Sequence, residues 1–452
     1  MSKSTLTRDV GIKSGNFTFL SIICFESVGF KVVYRKLEME ETIELQEEME
    51  IMRCVFGIDV SKDSISVAIV IDQTMFKETK LPLNRDGFRK LEEALQSFNN
   101  PEVVFEATGV YSRRLQRFLD DLGQDYTCLN PLVAKKQLDG LRPYKTDRND
   151  ARHLAETQFI MNRAVTYKIS PVYRKLMDFS RFYQEVSKDV ATHKNRLHRS
   201  LQLVFPEIEH VLSNTNNELY WSVVSQFSQA SQVTEEYSFN EVVDLILKGT
   251  QKKISHARAE QIAHSLYSAA RLSYSAVDDD SPVYLQVKHL VNQIQEETKL
   301  KASIIEQMTA LAKELPEYNE LLSIPGLGVR TVVSLIGELG DIRRFRNSNV
   351  LNAFIGIDLR HYESGDYVAN DHISKRGNTV ARKILFKAIQ NIASAAYYHP
   401  NHINNYYQRR KLENVQQGTK KIAIAAIHRL IRTIYHLVIN NQFYDYTLAT
   451  KG

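Results

Sequence analysis

Two short apolar runs that end on a carboxylate constrain the fold more than any other feature of the chain. Val55-Phe56-Gly57-Ile58 leads into Asp59, and Val103-Val104-Phe105 leads into Glu106. Runs this short and this apolar predict strands buried in a sheet. Ser61 to Ser64 predicts a turn after the first run, and Ile65, Val67 and Ile69 alternate as a second strand. A third strand is expected from Lys77 to Leu83 and a fifth from Tyr126 to Leu129, with Val103 to Glu106 as the fourth. Phe88, Leu91 and Leu95 share one face of an expected helix from Gly87 to Phe98, and Leu115, Phe118, Leu119 and Leu122 do so from Tyr111 to Leu122. Hairpin-like strands followed by alternating helices and strands predict a mixed α/β domain over residues 53–165.

The remainder is organised differently. Residues 1–52, with a glutamate-rich second half, are read as a non-domain extension or a start-site artefact. Residues 166–318 carry helical apolar stripes, such as Leu176, Phe179, Phe182 and Val186, and predict a helical or coiled-coil linker region. Residues 319–452 predict a mainly helical C-terminal domain. There Ile324-Pro325-Gly326-Leu327-Gly328-Val329-Arg330 precedes an apolar helix and suggests a helix-hairpin-helix. Amides of such a turn can bind a phosphate, and a bare helix connection is the alternative. The three cysteines include no CxxC pair, which speaks against a cysteine zinc site and for a reducing compartment. Phe17 to Phe25 is too short to span a membrane.

The chemistry rests on four acids. Asp59 and Glu106 end strands. Asp147 and Asp150 lie three residues apart in Lys145-Thr-Asp147-Arg148-Asn-Asp150, at an expected helix start. Taken singly, each acid reads as a surface residue or a cap. Together, three segments deliver carboxylate to one place, where mutual repulsion calls for a divalent cation. On a nucleic-acid-binding chain this predicts phosphodiester chemistry with two metal ions. Gly57-Ile58-Asp59-Val60-Ser61-Lys62 also looks like the phosphate turn of actin-like ATPases and sugar kinases, but no second phosphate loop or adenosine pocket follows. Net charge is +5, and the basic residues cluster, which is the footprint of a polyanion. Candidate nucleic-acid contacts are Lys62, Lys145, Arg148, Gly326, Gly328, Arg330, Arg343, Arg344, Arg346, Lys375, Arg376 and Arg382.

GIDVSK at 57–62, FEATGVY at 105–111 and KTDRNDA at 145–151 resemble the DEDD motifs of bacterial insertion-sequence transposases of the IS110 family. LLSIPGLGVRTVVSLIGELGD at 321–341, FIGID at 354–358 and HISKRGNTVARKIL at 372–385 extend the resemblance. It covers nearly everything from Met52 onward and is weakest between about 210 and 285. The resemblance implies a RuvC-like, RNase-H-type first domain whose Asp59, Glu106, Asp147 and Asp150 hold Mg²⁺. It implies a nucleophilic serine matching Ser374, with Ser364 as second candidate, although Ser374 and Asn378 also read as caps of the following helix. It further implies donor and target DNA, a bridge RNA from the same element, a tetramer with composite active sites, and a cytoplasmic, nucleoid-associated bacterial protein without a membrane anchor. A metal-dependent junction-resolving nuclease and a non-catalytic nucleic-acid scaffold are the alternatives.

Overall fold

The computed structural model describes residues 53–131, 147–250, 254–361, 363–364, 367–368, 372–413 and 418–450, and the backbone of 19–25 and 30–36. The first two strands, Phe19–Phe25 (β1) and Phe30–Lys36 (β2), pair antiparallel as a sheet of their own. The sequence reading does not anticipate this hairpin, and it adds no strand to the sheet that follows.

That sheet has five strands: Cys54–Val60 (β3), Ser64–Ile71 (β4), Thr74–Pro82 (β5), Glu102–Glu106 (β6) and Tyr126–Leu129 (β7). Their order is β5-β4-β3-β6-β7. The first three strands in sequence are antiparallel neighbours because tight turns join them. Asp72 and Gln73 turn the second hairpin with positive φ of 44° and 66°. β6 and β7 run parallel to β3, which requires crossover helices, Arg85–Gln96 (α1) and Ser112–Asp121 (α2).

Each face of β3 has its own core. Phe56 and Ile58 pack with Phe105 and with Leu91, Leu115 and Leu119 of α1 and α2. Val55 and Val104 face the other way, against Leu154 and Ala155 of the helix Asp147–Met161 (α3). Gly57 lets that helix seat directly on the strand. A Cβ there would meet the Ala151 carbonyl oxygen at 2.0 Å and the Ala155 nitrogen at 2.7 Å.

The chain divides into two compact units, Met1–Lys168 and Ile169–Gly452. The second is built on two long helices, Pro171–Val204 (α4) and Pro282–Ala312 (α8), which between them serve two cores. Leu197 and Leu201 of α4 and Val287 and Ile294 of α8 pack with Glu218–Gln226 (α5), Phe239–Lys248 (α6) and His256–Leu272 (α7). At their other ends, Leu176 and Met308 join the larger core. That core also takes Pro316–Leu322 (α9), Val329–Leu339 (α10), Ser348–Ile355 (α11), Thr379–Ala395 (α12), His402–Glu413 (α13) and Thr419–Asn440 (α14). The expected linker and C-terminal regions therefore share one core. Phe182, read as part of an inward stripe, is 43% exposed. By length and composition α14 could cross a membrane, but Ile427, Leu430, Ile431 and Ile434 sit in this core.

Four two-residue strands lie between α11 and α12: Leu359–Arg360 (β8), Glu363–Ser364 (β9), Tyr367–Val368 (β10) and His372–Ile373 (β11). β8 pairs with β11 and β9 with β10, both antiparallel. The last described element is a short helix, Tyr446–Thr450 (α15).

The seating of α3 yields a prediction. Gly57→Ala should destabilise the protein by about 1–3 kcal/mol, the usual cost of forcing extra volume into a packed core. Urea unfolding monitored by far-UV circular dichroism reads this, and an unchanged midpoint would refute the close approach.

Candidate active site

Alternation along β3 and β6 decides where the first acids point. Val55 and Gly57 face α3, so Asp59 does too, and Glu106 follows Val104 onto the same side. The two acids come one residue after the last registered pair of the parallel ladder, Ile58 and Phe105. Both are half-buried. Asp150 is half-buried on α3, immediately before the Ala151 that contacts Gly57. The sheet thus brings Asp59 and Glu106 to neighbouring strand ends, and α3 adds Asp150 on their side. Asp147 and Arg148 open α3, but their side chains lie outside the described residues, as does all of Lys145. Among the described residues no three His, Cys, Asp or Glu groups form a cluster that could hold a metal ion. Were a cation held by these acids, its ligands would be carboxylate oxygens, the chemistry that hard cations such as Mg²⁺ take.

The far end of α3 is fixed by charge. Arg53 Nε donates to Glu102 Oε1 at 2.6 Å, and Arg53 Nη2 donates to the Gln158 carbonyl at 3.2 Å. Gln158 Nε2 closes the group by donating to Glu102 Oε2 at 2.9 Å. Hydrogen bonding from Arg53 holds the Glu102 carboxyl below its usual range. Sequence reasoning gave these residues no role.

The second candidate site lies in the helical unit. Ser374 follows β11, directly across the ladder from Asp358, which precedes β8. The Ser374 amide donates to the Asp358 carbonyl at 2.8 Å, and its hydroxyl donates to Asp358 Oδ1 at 2.5 Å. The serine loop rides on the end of α11. Lys375 N–H bonds Gly356 O at 3.0 Å, and Asn378 N–H bonds Phe354 O at 2.9 Å. A Cβ on Gly377 would meet Phe354 O at 2.1 Å, so only glycine permits this approach. Lys375 is held in the left-handed region at φ 55°. Asn378, not Ser374, caps α12 by accepting from Ala381 N–H at 3.0 Å. The Ser374 hydroxyl is thereby assigned to Asp358. The signal for this pairing lies in FIGID, whose aspartate has no role in the sequence reading. Ser364 lies on β9, opposite Tyr367, in the other two-residue ladder.

The expected nucleic-acid contacts separate by environment. Lys62, Arg330, Arg346, Lys375 and Arg376 are exposed. Arg382 instead braces the serine loop, donating to Ile355 O at 2.6 Å and Lys375 O at 3.3 Å. Arg343 pairs with the buried Glu317 at 3.0 Å, and Arg344 lies over Phe345 and Phe354 at 4.5 and 4.9 Å. Gly326 has φ 95°, and a Cβ there would meet Ile392 Cα at 2.5 Å, so helix packing requires it. Gly328 opens α10 with free space around its Cα.

Residues 56–206 match a transposase family of the DEDD IS110 type, and residues 318–408 match one described as "Transposase IS116/IS110/IS902 family". The transposase for insertion sequence element IS1111A of Coxiella burnetii is 40% identical over 80 residues, which is 18% of this chain and 22% of that protein. An uncharacterised 43.6 kDa protein of the insertion element IS110 of Streptomyces coelicolor is 20% identical over 70% of this chain and 76% of its own. The pilin gene-inverting protein of Moraxella bovis is 22% identical over 86% of this chain and 97% of its own.

The α3 clamp can be tested by pH. A carboxyl held low in the folded protein contributes stability above its unfolded pKa, about 4.3 for glutamate, and loses it as pH falls through the folded value. Glu102→Gln should therefore cost about 1 kcal/mol near neutrality for this partly exposed pair. The difference from wild type should shrink toward pH 3. Urea unfolding at several pH values reads both, and an equal gap across the range would contradict the assignment.

Proposed function

The chain belongs to the IS110 family of insertion-sequence transposases, and we propose that it cuts and rejoins DNA through a phosphodiester bond to Ser374. The observation that carries this reading is the Ser374 hydroxyl, donated to Asp358 Oδ1 at 2.5 Å on a loop fixed to α11. A serine hydroxyl is a weak nucleophile until a neighbouring base takes its proton. Asp358 is that base. As Oγ bonds to phosphorus, the proton moves to Oδ1 and the bond from phosphorus to the leaving sugar oxygen breaks. The freed oxygen takes a proton and becomes a hydroxyl. Exposed Lys375 and Arg376 lie next to the serine, where they balance phosphate charge. Rejoining is the same step in reverse, with a DNA hydroxyl displacing the serine.

Asp59, Glu106, Asp147 and Asp150 would hold Mg²⁺, which when bound would supply stabilisation of charge on a phosphodiester. The mixed sheet, with two acids at neighbouring strand ends and one on the helix covering that face, supports a RuvC-like domain in this role. Arg53 and Glu102 position α3 and hence Asp150. The helix connection at Ile324 to Arg330 supports a helix-hairpin-helix, with Gly328 as the amide open to a phosphate. Donor and target DNA are the substrates. Guidance by a bridge RNA and assembly as a tetramer rest on the resemblance of the motifs to the family.

The test traps the intermediate on a suicide DNA substrate. Ser374→Ala should bind DNA normally yet form neither adduct nor recombinant, since losing one hydroxyl-to-carboxylate hydrogen bond costs only about 1–3 kcal/mol of stability. Ser364→Ala should remain active. Asp358→Asn should slow adduct formation by roughly 10²- to 10⁴-fold, the usual contribution of a general base. Asp59→Asn should abolish recombination. An adduct that persists in Ser374→Ala would move the nucleophile. Cutting without any adduct in wild type would favour a junction-resolving nuclease.

A further inference from the structure

A cavity of about 500 Å³ opens in the helical unit beside the serine. Asp358 forms part of its wall, and α11, α13 and α14 contribute Asn352, Tyr406, His428, Arg429 and Arg432. Its volume falls in the range of sites that enclose a small organic group.

Three features of the wall point to an anionic, hydrogen-bonding guest. Arg429 and Arg432 lie three residues apart and so share one face of α14, and among the described residues neither pairs with a carboxylate. Guanidinium groups match phosphate oxygens in bidentate geometry. Asn352 is 4% exposed, and among the described residues its side-chain oxygen has no hydrogen-bond partner. Buried amide oxygens in native proteins are rarely left so, and a rotation of the Asn352 side chain toward the cavity would bring this one to a donor on the guest. The Arg429 guanidinium lies 4.2 Å from the centre of the Tyr406 ring, an arrangement that holds the cation in place.

His428 adds direction. Its Nε2 lies 3.0 Å from the Ile357 carbonyl, so that nitrogen carries the proton and Nδ1 is an acceptor. Burial lowers its pKa and keeps the ring neutral. The cavity therefore holds two fixed positive charges against the one carboxylate of Asp358. Its other polar groups can meet both the donors and the acceptors of a base edge. Asparagine is the side chain that pairs most readily with the amine and ring nitrogen of adenine.

We propose that this cavity binds one nucleotide of the DNA strand beside the phosphate attacked by Ser374, with Arg429 and Arg432 on its phosphate and Asn352 on its base. The proposal rests on the reading of Ser374 as the nucleophile, because Asp358, which accepts from the serine hydroxyl, also forms part of the cavity wall. It adds a subsite that fixes the strand during the exchange.

Binding can be separated from chemistry. The full chain carrying Ser374→Ala is titrated, in EDTA, against a fluorescein-labelled DNA oligonucleotide bearing the element end, across a range of salt. Adding Arg429→Ala and Arg432→Ala should weaken binding at least tenfold. It should also reduce the slope of log K against log salt by about 0.7–0.9 for each phosphate that is no longer neutralised. Arg258→Ala with Arg271→Ala removes the same charge from exposed positions on α7 and should leave both values nearly unchanged. Arg429→Lys with Arg432→Lys keeps the charge and the fold, and should still weaken binding through loss of the bidentate geometry. Equal losses in the cavity and α7 variants, or unchanged DNA binding in the cavity variants, would overturn the proposal. So would a loss confined to binding of RNA from the same element. Absence of an adduct in wild type would be a failure of the Ser374 reading itself, a result that this equilibrium titration does not depend on.

Discussion

The seating of α3 on β3 through Gly57 is the contact on which the acidic site depends. The backbone of Ala151 occupies the space where a side chain of residue 57 would stand. That contact fixes the height of the helix above the sheet, and Asp150 is the residue just before it. The parallel register of β3 and β6 independently sets Asp59 level with Glu106. At the other end of α3, Arg53, Glu102 and Gln158 prevent the helix from pivoting. Carboxylates repel when crowded, so they need a scaffold that holds them without their own attraction. Glycine packing and a remote ion pair provide it.

The helical unit solves a related problem for the proposed nucleophile, which is uncharged. A serine at the end of a two-residue strand would be mobile. Here Gly377 lies against the α11 backbone, Arg382 ties the Lys375 carbonyl of the loop to the Ile355 carbonyl at the end of α11, and Asp358 takes both the amide and the hydroxyl of Ser374. Strain at Lys375 is tolerated because the surrounding bonds determine its conformation. The same aspartate borders the arginine-lined cavity, so in the proposed mechanism activation of the serine and placement of the strand share one residue.

Much of this was legible in the sequence. Apolar runs bounded by turns located the inner strands of the main sheet, because burial on two faces leaves a simple pattern, and helical spacing of apolar residues located both crossover helices. The acids at strand ends were legible for the same reason. Packing partners were not. Gly57 reads as part of a phosphate-turn motif, yet its demand comes from Ala151, far along the chain. Gly326 likewise reads as an amide turn but is required by Ile392. Arg343, Arg344 and Arg382 resemble free cations in a string of letters, whereas Glu317, two phenylalanines and backbone carbonyls engage them. Asp358 and the α14 arginines had no periodic signal, because their role arises only where α11, α13 and α14 meet. The hairpin was missed because Phe19–Phe25 reads only as an apolar run too short to span a membrane, and nothing in the sequence marks its pairing with Phe30–Lys36.

The central claim is that DNA becomes covalently attached to Ser374 and to no other side chain. Mass spectrometry of the trapped adduct, after nuclease trimming and proteolysis, tests this directly. The account predicts a nucleotide-sized mass increment on the peptide containing Ser374, localised to that residue by fragmentation and lost in Asp358→Asn at short reaction times. An increment on Ser364 or another residue, or cleaved DNA with no modified peptide, would contradict it.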